Sequence, residues 1–360
     1  MNTKRLNVRA MAAAVLLTGG LSVAAQAADW FPVQVRATAL DGSQKLIEYQ
    51  GQSKASQPWQ ICVSLPHMKD PMFVAADYGV IEEAKRLGVK VQLLDAGGYT
   101  QLSQQVSQVQ NCVVGGAKAV VLVAISREGM GNLLTSLKQK NIKVVDAING
   151  VNSNDVAARV LTSPYDEGLR TGQYMAKQHP AGSPPVRVGW FPGPTGAGFE
   201  IAFNNGFLTG IKGSAVQVVA TMNGDVGKEV QARLVENLLQ ARKDVDYVVG
   251  TAVTVEGAIP LLRAHHLENK VRLVSLYMTP GVLQGLKDGA IEAAHVSPVV
   301  TTARMMIDTA VRVLQAQPPE PLTQYDTIGR VYTAKEIGSL DVNTVLAPED
   351  FKPVFRYTGQ

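Results

Sequence analysis

The sequence predicts an α/β protein of two doubly wound parallel-sheet lobes joined by a hinge. Three observations carry that expectation. The chain has 360 residues, more than one compact core usually supports. From residue 60 onward, short apolar runs alternate with segments of helical period, the pattern of a parallel sheet covered by helices. At Thr162-Ser163-Pro164-Tyr165-Asp166 the alternation pauses, and a second series of similar size follows.

The first residues, MNTKRLNVRAMAAAVLLTGGLSVAAQA, place Lys4, Arg5 and Arg9 ahead of a short apolar run and the small-residue signal Ala25-Gln26-Ala27. This is the pattern of a secretory signal peptide over 1–27, and a periplasmic, exported protein is expected. Gly19 and Gly20 interrupt the apolar run, which argues against a retained membrane anchor. Without Lys4, Arg5 and Arg9 the 34 basic residues fall to 31, against 30 acidic, so the mature chain is near neutral. A nucleic-acid partner therefore loses its electrostatic basis.

In the first series, ICVSL, VQLLD, AVVLVAIS and KVVDAI suit strands buried on both faces. The intervening Pro71–Leu87 carries Val74, Tyr78, Ile81 and Ala84 on one face, with Asp70 as N-cap, Pro71 in the first turn and Gly88 as stop. Leu102, Val106, Val109 and Val113 repeat the spacing, as do Met130, Leu133, Leu134 and Leu137. The second series reads RVGWF, a helix over 199–212 (Phe199, Phe203, Phe207, Ile211), QVVAT, a helix over 228–242, YVVGT, a helix weakened by Pro260, LVSLY, a short helix and IEAAHV. These apolar stripes are core rather than cofactor boxes. The expected division is an N-terminal lobe of 60–163 plus part of 278–316, a C-terminal lobe of 164–277, and irregular extensions over 28–59 and 317–360. Ser163, Pro164 and Leu276 are the expected hinge.

In open parallel sheets, ligands bind beyond the carboxyl ends of the strands. That rule selects the loops at 66–73, 95–99, 126–128 and 146–149 in the first lobe, and at 193–199, 223–225, 251–256 and 277–279 in the second. Two such rims face each other across a cleft that closes by hinge bending. Tyr99 follows Gly97 and Gly98 at one rim; its ring either faces a ligand or packs over its own helix. Phe73, Tyr165 and Tyr277 hold similar positions, and aromatic faces attract alkylammonium groups by roughly 0.5–2 kcal/mol each. Met72 and Thr251 join them as candidate ligand contacts. Asp70 is either a further contact or only the N-cap.

Other chemistries find little support. The glycines at 193, 196 and 198 do not match GxGxxG, and no Lys-Ser/Thr follows them. No GxSxG or HExxH occurs, and adjacent His265 and His266 diverge on a helix rather than converge on a metal. No enzyme, cofactor or metal is expected. Export permits a disulfide between the two cysteines, Cys62 at a strand start and Cys112 at a helix end, on the sheet edge away from the cleft. Two separate buried thiols are the alternative.

Lys69-Asp70, Tyr78-Gly79, AGGYTQL (Ala96 to Leu102), Cys62 with Cys112, PGPTGAGF (Pro192 to Phe199), VVGTAV (Val248 to Val253), VSLYM (Val274 to Met278) and the ending FKPVFRY recur in order over most of the mature chain. As a set they resemble the type I periplasmic binding proteins, and within them the TorT-like sensors of trimethylamine N-oxide. The resemblance implies an aromatic cage for a methylated ammonium end, with Tyr99 and Tyr277 at family cage positions, and a TorS-like sensor histidine kinase whose periplasmic domain is the partner. Where the family carries a Tyr-Trp pair this chain has Met72 and Phe73, and a family Trp near residue 164 is missing, leaving Pro164 beside Tyr165. The cage is thinner, and the ligand is expected to be trimethylamine N-oxide or a related methylamine. A competing expectation is delivery of a sugar or other small solute to an ABC importer, with Asp70, Arg127, Asn149 and Asn223 as polar contacts. A DNA-binding repressor of this fold class would need a helix-turn-helix, and 28–59 lacks the helical periodicity for one.

Overall fold

A computed structural model describes residues 29–317 and 323–359. The expected signal peptide lies outside the described residues. The chain begins with an antiparallel hairpin, β1 (Val33–Thr38) and β2 (Gln44–Tyr49). It then runs through β3 (Gln60–Leu65), α1 (Pro71–Leu87), β4 (Lys90–Asp95), α2 (Leu102–Val114), β5 (Ala119–Leu122), α3 (Gly131–Gln139), β6 (Lys143–Ile148) and β7 (Ala158–Leu161). The second run comprises α4 (Pro164–Gln178), β8 (Val186–Phe191), α5 (Gly198–Gly210), β9 (Val216–Thr221), α6 (Lys228–Ala241), β10 (Tyr247–Gly250), α7 (Ala252–Ala264), β11 (Arg272–Ser275), α8 (Pro280–Lys287) and β12 (Ala293–Val296). It closes with α9 (Val299–Leu314), β13 (Gln324–Thr327), β14 (Arg330–Thr333) and β15 (Arg356–Tyr357).

Two sheets result, ordered β15-β4-β3-β5-β6-β7-β13-β1-β2 and β14-β12-β11-β10-β8-β9. The parallel centre has the same winding in each: the first strand of the series lies between the second and third. The order therefore reverses between β3 and β5 in one lobe and between β8 and β10 in the other, and a crevice opens beyond the strand ends at those points.

Period-two alternation explains the layering. Ile61, Val63 and Leu65 face a core shared with α1 and α9. Cys62, between them, faces the opposite core, shared with α2 and α3 through Val109, Leu133 and Leu134. The cysteines form a disulfide with Cα atoms 6.4 Å apart, which fixes α2 to that face. Helix α1 follows its sequence signals. Asp70 accepts from the Met72 N–H at 2.9 Å, Pro71 opens the first turn, and Gly88 closes the helix at φ +74°.

Several expectations change. The expected extension over 28–59 is not wholly irregular, because β1 pairs with β13 and β2 with β1, extending the first sheet. The C-terminal extension likewise gives β13 to the first sheet, β14 to the second, and β15 to the edge of β4. The chain passes between lobes three times: after β7 at Thr162–Ser163, after β12 at Ser297–Pro298, and between β13 and β14. The second lobe therefore runs on to Val296, beyond the expected limit of 277, before α9 returns to pack on α1. At the third passage Gly329 is required by space, since a Cβ there would lie 2.3 Å from the His295 ring. Ser163, at φ +56°, and Pro164 lie at the first passage. Leu276 does not lie at a passage: it is fully buried in the second lobe, and its N–H donates to the Gly250 carbonyl. Among the described residues, no helix is long and apolar enough to cross a membrane.

Candidate functional site

The two rims meet around a small cavity of about 40 Å³. The first lobe contributes Asp70, Met72, Phe73, Tyr99, Ile148 and Asn149, and Thr162 and Pro164 come from the first passage. The second lobe supplies Glu167, Phe199, Phe203, Val226 and Tyr277. Such a volume holds only a few waters. A wider groove of about 760 Å³ lies between the start of α1 in the first lobe, α8 in the second and the 342–351 segment. It shares no lining residue with the small cavity, on which Tyr99, Phe73 and Tyr277 converge.

Tyr99 is placed by the turn before α2, where Gly97 and Gly98 adopt φ of +92° and +148°, values that only glycine adopts readily. Its ring lies 5.4 Å from the His67 ring and 5.1 Å from that of Phe199 in the opposite lobe. The ring therefore faces the cleft rather than only its own helix. Its hydroxyl accepts from Asn149 Nδ2 at 3.1 Å, and Asn149 is held by the Ala124 carbonyl at 2.9 Å. The Tyr99 proton thereby remains available to a ligand acceptor, and burial raises its pKa, keeping the phenol neutral.

Tyr277 crosses the cleft. Its hydroxyl donates to Asp70 Oδ2 at 2.5 Å, while Asp70 Oδ1 caps α1. Asp70 is thus both N-cap and cleft residue. Burial pushes its carboxyl up to about 6, against the pull of the Tyr277 bond. Behind the wall, His67 is fully buried edge-on to Phe73 at 5.1 Å; burial lowers its pKa to about 4, so the ring is neutral.

Of the candidate ligand contacts, Asp70, Met72, Phe73, Tyr99 and Tyr277 come together here. Two do not line the cavity. Tyr165 points outward at 41% exposure, because α4 turns its other face to the cleft. Thr251 lies behind Tyr277, fully buried at the start of α7, with its hydroxyl 2.7 Å from that of Thr254. Phe199, at the end of the selected 193–199 rim, and Phe203, which the sequence assigns to the core stripe of the same helix, also wall the cavity. Glu167 has the sequence signature of an ordinary first-turn acid, yet it is 4% exposed and accepts from Ser297 Oγ at 2.8 Å, linking the first and second passages. Burial pushes its carboxyl up to about 8. Among the described residues no cluster of three or more His, Cys, Asp or Glu side chains is placed to hold a metal.

The family model of the periplasmic binding protein domain matches residues 61–318. The chain is also 31% identical to the periplasmic protein TorT of Escherichia coli O157:H7 over 309 residues, 84% of this chain and 86% of that one. The chain belongs to the TorT-like type I periplasmic binding proteins. It is periplasmic, and its TorT-like relatives are binding and sensor proteins rather than enzymes. Two solved structures extend the likeness. The TorS sensor domain–TorT complex without ligand aligns at TM-score 0.74 and 30% identity, covering 82% of this chain and 99% of that one. An ABC transporter solute-binding protein from Bradyrhizobium sp. BTAi1, with bound Bis-Tris, aligns at TM-score 0.79 and 46% identity, covering 91% of this chain and 99% of that one.

Proposed function

We propose that this protein is a periplasmic sensor subunit. A small methylamine-type solute, of which trimethylamine N-oxide is the reference, binds between its lobes, and the resulting closure is read by the periplasmic domain of a membrane sensor histidine kinase. The observation that carries this reading is the convergence of Tyr99, Phe73, Phe199 and Tyr277 on one cavity, beside a Tyr99 hydroxyl that accepts from Asn149 and is shown donating to no group among the described residues. A methylated nitrogen lies favourably against ring faces, and an N-oxide oxygen needs a donor, which Tyr99 offers. The ligand shifts the lobes only by its differential affinity for closed and open forms.

TorT has been solved with the TorS sensor domain both in the absence of ligand and in the presence of TMAO. A signal of this kind therefore rests on a change within a standing complex rather than on association alone. The test is calorimetry of the mature protein with trimethylamine N-oxide and related methylamines, combined with pull-down of the cognate kinase ectodomain with and without ligand. Absence of kinase contact in every ligand state sinks the sensor role.

One observation favours a second reading. The 46% identity to an ABC transporter solute-binding protein exceeds the identity to TorT, which suits delivery of a solute to a membrane importer. Ligand-stimulated ATPase activity of a reconstituted importer, with no kinase contact, decides for that reading.

A further inference from the structure

Two carboxyl groups line the interlobe cavity, Asp70 and Glu167, and no lysine or arginine lines it. They are 2% and 4% exposed. The rest of the wall is mostly apolar or aromatic. Neither acid has a cationic hydrogen-bond partner. Asp70 accepts from the Met72 N–H and the Tyr277 hydroxyl. Glu167 accepts from the hydroxyls of Ser297 and Thr162. Lys228, whose charge lowers the Asp70 pKa, has its ammonium paired to Glu256 at 3.1 Å and does not line the cavity.

Carboxyl groups enclosed away from water without a positive partner are costly when ionised. Burial accordingly raises both pKa values, to about 6 for Asp70 and about 8 for Glu167. Helix capping and the Ser297 tie both need only a hydrogen-bond acceptor, which an amide supplies as well. Acids in an aromatic enclosure gain something amides cannot offer when a cation enters, because an N–H⁺···⁻O contact is about twice as strong as a neutral hydrogen bond. The rings then cover the alkyl groups and attract the same charge.

We propose that the solute this cleft selects is a protonated amine, an alkylammonium carrying at least one N–H, which donates to Glu167 while Asp70 supplies the second negative group and the rings enclose its alkyl substituents. The inference rests on the cleft being the ligand site, as above, and narrows the ligand class from methylamines in general to their cationic members. A neutral N-oxide can accept from Tyr99 or from a protonated Glu167, but it brings no positive charge to pair with an ionised carboxylate. A quaternary ammonium has the charge and lacks the N–H.

Calorimetry on the mature protein at pH 7.5 with trimethylammonium, tetramethylammonium and trimethylamine N-oxide tests this. Trimethylammonium is expected to bind at least tenfold more tightly than either of the others, and Glu167→Gln to remove most of that advantage while changing trimethylamine N-oxide affinity less than threefold. The inference is overturned if trimethylamine N-oxide binds as tightly as trimethylammonium, or if Glu167→Gln weakens both alike. Should Glu167→Gln fail to fold, the wild-type ranking of the three ligands decides alone. Binding of trimethylamine N-oxide only removes this inference and leaves the cleft reading intact. Binding of none of the three removes both.

Discussion

The Tyr277 hydroxyl, on the loop after β11, donates to Oδ2 of Asp70 at the start of α1, so one hydrogen bond spans the cleft from the second lobe to the first. Because the same carboxylate caps α1 through its other oxygen, the bond couples lobe closure to the geometry of a helix start. The closed form is held in part by protein groups that an entering solute must displace or accommodate.

Tyr277→Phe removes the donor and leaves a buried carboxylate oxygen without its partner, at a cost of roughly 1–3 kcal/mol. The loss falls on the closed form alone, since in the open form water satisfies Asp70. The expected outcome is a larger radius of gyration by small-angle scattering and a lower melting temperature. An unchanged radius would show that closure does not depend on this bond.

For Tyr99→Phe the expectation differs, because Asn149 keeps its bond to the Ala124 carbonyl and the ring keeps its packing. The fold should be retained, with a melting temperature close to wild type. What is lost is the proton offered to a ligand oxygen, about 0.5–1.5 kcal/mol. Titration calorimetry should show trimethylamine N-oxide affinity reduced by about three- to tenfold. Affinity for a ligand without an acceptor oxygen, such as tetramethylammonium, should hardly move.

Much of this arrangement is legible in the sequence because it is local. The strands of the two central sheets are continuous apolar runs, and α1 is bounded by Asp70, Pro71 and Gly88, which act within one turn of chain. The strand-end rule then selects Tyr99 and Tyr277 without further knowledge. What stays hidden depends on distant partners. The β1–β2 hairpin joins the first sheet only through β13, by pairings such as Val35 with Thr327, 292 residues apart, which no local pattern announces. Glu167 resembles any helix-start acid until Ser297, 130 residues away, is set beside it. The glycines at 168, 172, 206 and 210 did leave a signal, small residues four apart on two successive helices, whose meaning appears only when the helices are packed.

Those glycines bring α4 and α5 into backbone contact. A Cβ on Gly206 would lie 2.1 Å from the Tyr165 carbonyl oxygen, and one on Gly168 would lie 2.3 Å from that of Phe203. The pair positions Glu167 on one helix and Phe199 and Phe203 on the other. Gly206→Ala must therefore push the helices apart, at a cost of roughly 1–3 kcal/mol, and should weaken ligand binding by widening the cavity wall. Gly131→Ala is the control, since nothing lies within 4 Å of the added methyl, and it should melt near wild type. Equal melting of the two variants would contradict the close approach of α4 and α5.

Glu167 carries a pH dependence with a definite sign. Burial raises its folded-state pKa from the ordinary 4.5 to about 8, so between those values the folded chain holds a proton that the unfolded chain releases. Its contribution to stability is full below pH 4.5 and is lost as pH rises through about 8. Glu167→Gln keeps an acceptor for Ser297 and cannot ionise. The variant should match wild type in urea unfolding near pH 4 and exceed it by a few kcal/mol near pH 9, since each unit of pKa shift corresponds to about 1.4 kcal/mol. Asp70 and the other raised acids are common to both proteins and cancel in the difference. A stability difference that stays constant across that pH span would mean that Glu167 ionises in the folded protein as it does in water.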